Sequence, residues 1–296
     1  MKSGILPINK PEGISSARVV SMVKQSCMAK KTGHMGTLDP FATGLLLCGI
    51  NKGTKISRFF LHGSKRYKAK ICLGIETDTF DYTGTPIGGK KPTGNLSKEK
   101  IFNTISDFKG KQKQTPPSFS ALKHKGRPLY EYARNGEFIA KKARDIEIFE
   151  ISIDKIEIPF VHIDVSCSSG TYIRTIAFDI GQKLGCGAHL GALQRTETCG
   201  FNLKDSIDLN DLEKMNTDKI KENIIPLARA LDFMPAHTAE KKLEKKIQFG
   251  QKLSAGDGLP QCKKFLRILT KQKELAAVVE YDKKSQAFNY CCVFLN

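Results

Sequence analysis

The sequence predicts an α+β protein of mixed α/β character. It has an antiparallel-rich central sheet flanked by helices, and a small, mostly β module at its C-terminal end. Three observations lead there. Runs of strand length with two-residue alternation recur, notably over residues 65–75 and 161–165. Stretches with apolar residues three and four apart lie between them, after Ser15 and after Gly170. The composition then shifts near residue 231, where a lysine-rich amphipathic segment precedes three short apolar runs. At 296 residues, with 40% hydrophobic and 26% charged content, the chain has room for one sizeable core plus a smaller domain. The expected boundary puts residues 1–230 in the larger domain and 231–296 in the smaller.

The elements follow in order. Residues 5–8 form a short apolar run, and Asn9-Lys10-Pro11-Glu12-Gly13 is a turn cluster. Ser15 or Ser16 can cap a helix carrying Val19, Val20 and Val23. A glycine-rich loop holding His34 and Asp39 runs into residues 45–50, an apolar strand bounded by glycines, and residues 51–61 look helical. In 65–75, Tyr67, Ala69, Ile71, Leu73 and Ile75 share one face while Arg66, Lys68 and Lys70 share the other. A helix is expected near 98–108. Residues 83–145 are rich in Gly, Pro and Lys, and within them 115–130 mix bases with aromatics and stiff prolines and read as a functional insertion. Alternation resumes at Ile146. Ser168-Ser169-Gly170 then breaks it and launches a helix bearing Ile173, Ile176, Ala177, Ile180 and Leu184. Residues 238–249 form the lysine-rich amphipathic segment, ahead of strand-like runs at 265–269, 275–281 and 288–295.

Charge narrows the function. The chain carries 48 Lys and Arg against 30 Asp and Glu, a net of +18. Its first 70 residues hold 13 cations against Glu12 and Asp39 alone. That asymmetry is the footprint of a polyanion partner, most often nucleic acid. Nine cysteines without a CxxC pair, scattered through apolar runs, read as small buried hydrophobes in a reducing compartment and not as disulfides or zinc ligands. No basic–apolar–small signal pattern opens the sequence, and no apolar stretch approaches the ~18 residues needed to span a bilayer, so no membrane association is expected and the expected compartment is the cytoplasm.

Asp39 is the only acid between Glu12 and Glu76. Surrounding cations hold such a carboxylate ionised, ready to act as nucleophile or charge stabiliser toward a nucleotide. Asp followed by Pro is also a helix-start pairing, although the strand at 45–50 leaves little room for a helix there. Tyr67 is either a core tyrosine or a ring that stacks on a base while its hydroxyl handles a proton. Arg174 falls in the first turn of its helix, where the macrodipole disfavours a cation, so an anionic partner is expected: Asp39 or an RNA phosphate. His34 can be a general base, a stacking wedge or a plain loop residue. Glu76, Asp78 and Asp81 read as turn-forming side chains more than as metal ligands, and no metal is expected.

Six ordered motifs extend the picture. They are residues 6–13, Gly33-His34-Met35-Gly36-Thr37-Leu38-Asp39-Pro40-Phe41-Ala42-Thr43-Gly44, Lys65-Arg66-Tyr67, Thr77-Asp78-Thr79 with Asp81, Thr115-Pro116-Pro117, and Gly170-Thr171-Tyr172-Ile173-Arg174-Thr175 continuing through 184–190 to Leu193-Gln194-Arg195. Through them the chain resembles the bacterial tRNA pseudouridine-55 synthases, the TruB family, along nearly all of its length. The resemblance implies isomerisation of a flipped-out T-loop uridine in tRNA, with Asp39 as nucleophile and no cofactor. It also implies that Tyr67, Tyr172 and Leu193 line the uracil pocket, that Arg174 pairs with Asp39, that His34 stacks in the T-loop, and that Lys10 and Pro11 support the site from behind. Residues 115–145, with Lys123, Lys125 and Arg127, would clamp the RNA. The C-terminal module resembles a PUA-type domain, and Gln194 stands where the family usually has arginine. A monomer without an obligate protein partner is expected. Two alternatives stay open: a guide-RNA-dependent, dyskerin-type synthase, and a tRNA-folding chaperone.

Overall fold

The computed structural model describes residues 2–139, 141–260 and 264–295. Among them, eleven strands join in one mixed sheet whose main path starts with the short Ile207–Asp208 strand. From there it runs through Gly4–Lys10, Thr43–Ile50, Ala188–Thr198, Lys65–Leu73, Phe160–Cys167 and Arg144–Glu157 to Gly110–Gln114 at the far edge. Neighbours along the path are antiparallel except at two places. One is the outer pairing of Ile8 and Asn9 with Ile207 and Asp208. The other is a short parallel seam in the middle, where Gln194 lies beside Thr43 and Arg195 beside Gly44.

The hydrophobic pattern explains the layers. Gly4–Lys10 and Thr43–Ile50 are buried on both faces, which is why they read as continuous apolar runs. Leu6, Ile8, Leu46 and Cys48 face the main core with the Ser16–Ser26, Lys98–Ser106 and Ile173–Leu184 helices. Ile5, Leu45 and Leu47 face the other way and share a second core with Leu227, Leu231, Leu275, Val278 and Phe294. Lys65–Leu73 keeps strict alternation: Tyr67, Ala69, Ile71 and Leu73 are buried, and Lys68 is exposed. The Ser15 side chain accepts from the Arg18 amide and caps the first helix as expected.

Expected boundaries shift only slightly. The helix expected over 51–61 is a 3-10 segment, Asn51–Ile56, followed by the single turn Arg58–Leu61. The lysine-rich segment is the Lys241–Gln248 helix. It packs on a five-stranded sheet with Ala236–Thr238, Leu253–Ser254, Phe265–Leu269, Leu275–Asp282 and Ala287–Val293. Residues 115–145 hold a small hairpin, Lys123–His124 with Arg127–Pro128, and the short helix Leu129–Arg134. The cysteines at 27, 48, 72, 167, 186, 199, 291 and 292 are free thiols, buried or half-buried. Cys262 lies outside the described residues.

Candidate active site

The seam positions the site. Residues 35–42 leave the short Thr32–His34 strand and turn back into Thr43–Ile50, so Asp39 projects where that strand meets Leu193–Arg195. No helix forms at Asp39-Pro40; the loop turns through the bond from the Ala42 amide to the Asp39 carbonyl, 3.1 Å. Gly44 is indispensable there: φ is +100°, and a Cβ would stand 2.4 Å from the Arg195 carbonyl oxygen. A cavity of about 290 Å³ opens beside the loop, lined by Asp39, Tyr67, Tyr172, Arg174, Leu193 and Arg195 among others.

Arg174 is the node of this cavity. The Ile173–Leu184 helix starts with no acidic residue in its first turn, so the guanidinium finds its anions elsewhere. Its Nε lies 2.9 Å from Asp39 Oδ2, an ion pair without hydrogen-bond alignment. One terminal nitrogen lies 3.4 Å from Asp81 Oδ2 and donates to the Thr79 carbonyl at 2.7 Å. The other donates to the Phe119 carbonyl at 2.8 Å, inside the insertion. Arg174 is 4% exposed and Asp81 5%, whereas Asp39 is 34% exposed. The cation is therefore fixed from behind, and the carboxylate it holds is open to a ligand.

The remaining partners come from the sheet and the insertion. Tyr67 is buried on its strand directly opposite Arg195, and burial pushes its phenol up to about 12 with Arg195 pulling against the rise. Arg195 is 1% exposed. Its nitrogens donate to the carbonyls of Leu45 at 2.7 Å, Gly36 at 3.0 Å and Thr37 at 3.4 Å. Lys10 is wholly buried behind the loop. It donates to the carbonyls of Pro11 and Ile14, each at 2.8 Å, and of Pro40 at 3.0 Å. Burial lowers its ammonium to about 8, partly offset by Asp39. Tyr172 is clamped by Gln114, which accepts from its amide at 2.8 Å and donates to its carbonyl at 3.0 Å. The Arg144 guanidinium sits 4.7 Å from the Tyr172 ring centroid.

Of the residues singled out in the sequence, the cavity brings together Asp39, Tyr67, Tyr172, Arg174 and Leu193, with Lys10 behind. It does not include His34, which is half-buried at the end of its strand with Nδ1 unpartnered and its imidazole shifted down by burial. Lys123, Lys125 and Arg127 are exposed on the insertion hairpin. The turn reading of residues 77–81 agrees with the structure: Asp81 Oδ1 accepts from Thr79 Oγ1 at 2.9 Å and the Thr83 amide at 3.0 Å. The sequence reading gave Asp81 no place beside Arg174 and no role to Arg195, Gln114 or Arg144, nor to Lys65, which also lines the cavity. Asp81 arrives through the 80–82 loop, which pairs with Leu190 in the central strand. That contact has no local signature.

The fold class is set by solved structures. A crystal structure of a Cbf5–Nop10–Gar1 complex matches with a TM-score of 0.75 at 24% identity, covering 99% of this chain and 85% of that one. An H/ACA RNP bound to a substrate RNA containing 2′-deoxyuridine matches with 0.76 at 23%, with the same coverage. Sequence then fixes the family. Residues 24–173 match the TruB family pseudouridylate synthase N-terminal domain, and 174–232 match the tRNA pseudouridylate synthase B C-terminal domain. The chain is 36% identical to tRNA pseudouridine synthase B of Mannheimia succiniciproducens over 95% of its own length and 92% of the relative. It is 47% identical to that of Desulfotalea psychrophila over 73% and 89%. The chain belongs to the TruB family of pseudouridylate synthases, an isomerase family.

Proposed function

We propose that this protein isomerises a uridine of the tRNA T-loop, U55, to pseudouridine, with Asp39 as the nucleophile. The observation that carries the reading is the Arg174–Asp39 pair: a buried guanidinium anchored on three sides presents a half-exposed carboxylate to a cavity of nucleobase size. The names of the relatives supply the class of substrate. The reaction breaks the N1–C1′ bond, turns the uracil and joins C5 to C1′; N1 gains a proton and C5 loses one. Nothing is oxidised and no group is added, so the chemistry calls for no cofactor.

A base stacked in a folded arm cannot reach Asp39, so the nucleotide must leave the stack. The cost of a few kcal/mol is offset by phosphate contacts and by stacking on Tyr67, roughly 1–3 kcal/mol. In this reading Tyr67, Tyr172 and Leu193 enclose the uracil, Arg174 orients Asp39, and Lys10 braces the loop through the Pro40 carbonyl. His34, which is not among the residues lining the cavity, meets the RNA and not the reacting base. Lys123, Lys125 and Arg127 grip the backbone. Residues 1–230 form the catalytic domain and 231–296 a PUA-like RNA-binding domain, and the enzyme works as a cytoplasmic monomer.

Unmodified tRNA incubated with wild type and with Asp39→Asn tests the assignment. Tritium release from 5-tritiated uridine reports the new C5–C1′ bond, and mapping locates it. Wild type should release tritium from position 55 and Asp39→Asn none; product from the variant refutes the nucleophile. Tight binding without product by the wild type would instead favour a chaperone.

A further inference from the structure

In the wall of the cavity lies a buried cation that the reading above leaves without a task. Arg195 has no ion-pair partner among the described residues; its nitrogens donate to three carbonyls, and it stands directly opposite Tyr67, where its charge pulls against the rise that burial causes in the phenol. A buried guanidinium without a carboxylate is expensive, and an apolar side chain of like volume serves a fold as well or better. The contacts it makes are informative. Gly36 and Thr37 belong to the turn that carries Asp39, Leu45 belongs to the strand that follows, and Tyr67 stands on the opposite strand. Arg195 thus reaches both walls of the cavity. At Gly36 itself, with φ +121°, a Cβ would find nothing nearer than 3.7 Å, and that nearest atom is the Arg195 guanidinium.

We infer that Arg195 is a positioning residue: its planar guanidinium ties the Gly36–Thr37 turn to the strand pair on which it faces Tyr67, and so sets the separation between Asp39 and the phenol across the bound uracil. Lysine cannot replace it, because one ammonium lacks the fork that spans both walls. The inference rests on the reading of this cavity as the catalytic site, and the controls separate the two.

The test compares Arg195→Met, Arg195→Lys and Tyr67→Phe with wild type in single-turnover tritium release, beside tRNA affinity and thermal unfolding. Arg195→Met should lose about 100-fold in rate, the scale set by ångström-sized misplacement, with affinity close to wild type. Arg195→Lys should recover part of the loss. The double variant with Tyr67→Phe should be no slower than the worse single one, since both break one linkage. A wild-type rate per folded molecule, or losses that multiply, overturns the inference. Should Arg195→Met fail to fold, the guanidino N–H resonances of Arg195 in the otherwise intact enzyme decide: Tyr67→Phe should shift them, and unchanged resonances overturn it. Asp39→Asn run in parallel removes the catalytic reading if it stays active. If it is inert beside a fully active Arg195→Met, only the positioning role falls.

Discussion

Replacing Arg174 by methionine isolates what the buried cation does. The side chain keeps its length, so the cavity wall survives while four contacts vanish: Asp39, Asp81 and the carbonyls of Thr79 and Phe119. Two terms follow. Asp81 is 5% exposed and loses its only cation among the described residues, and breaking a buried pair from one side costs about 3–5 kcal/mol. Asp39 is 34% exposed, so water screens it and its loss adds little stability. Unfolding should therefore drop by about 10 °C. Catalysis should fall further: freed from Nε, Asp39 can wander by an ångström, worth about 100-fold in rate. Arg174→Lys keeps the charge without the fork and should fall between. Single-turnover tritium release, filter binding and thermal melts read the three quantities separately. If affinity falls as much as the rate, Arg174 is a phosphate contact and the reasoning about Asp39 is wrong.

Lys10 makes a pH prediction with two signs. Its three N–H groups are all in use, so losing a proton near pH 8 breaks one bond behind Asp39, and the rate should decline as pH rises through about 8. Its folded value lies below the ordinary 10.5, so between about 8 and 10.5 the unfolded chain binds the extra proton, and this group makes the fold gain stability with rising pH. Rate profiles and urea melts of wild type and Lys10→Met across pH 7–10 check both; parallel curves would exclude Lys10. Changing Lys123, Lys125 and Arg127 together to alanine should weaken tRNA binding and lower the slope of log affinity against log salt by roughly 2–3, at 0.7–0.9 per phosphate contact. An unchanged slope places the RNA elsewhere. Gly44→Ala should abolish soluble expression, since its Cβ meets backbone at 2.4 Å. Gly88→Ala, also left-handed but in open space, should cost only about 1–2 kcal/mol, read by the same melts.

The legible parts of the sequence were those where one face of an element decides its burial. Alternation in 65–73 revealed the strand and put Tyr67 on the buried side, because a sheet with one covered face writes its period into the chain. Arg174 was legible for the opposite reason: a cation in a helix's first turn breaks a local rule and calls for a partner. The illegible parts depend on pairing between distant segments. Nothing near Asp81 says that the 80–82 loop will lie along Leu190, and nothing near Arg195 says that its strand will meet Thr43 and Gly44. The 51–61 segment was read as one helix because its composition allows helix; Gly53, whose Cβ would meet the Gly4 carbonyl at 2.1 Å, marks the close approach that goes with the tighter 3-10 winding. His34 lies at the end of the strand before the Asp39 loop and is not among the residues that line the cavity, and the sequence left its role open between base, wedge and loop residue.

The two-pair seam between Thr43–Gly44 and Gln194–Arg195 has a consequence for how such an enzyme diversifies. Two antiparallel halves that touch over so short a parallel stretch must diverge on either side of it, and the gap between them belongs to the backbone topology and not to any lining side chain. Loops that ring the gap can change length or charge without closing it, provided that the Thr79, Asp81 and Phe119 contacts to Arg174 are kept. Away from those anchors the rim of the cavity can vary while the Arg174–Asp39 pair stays in place.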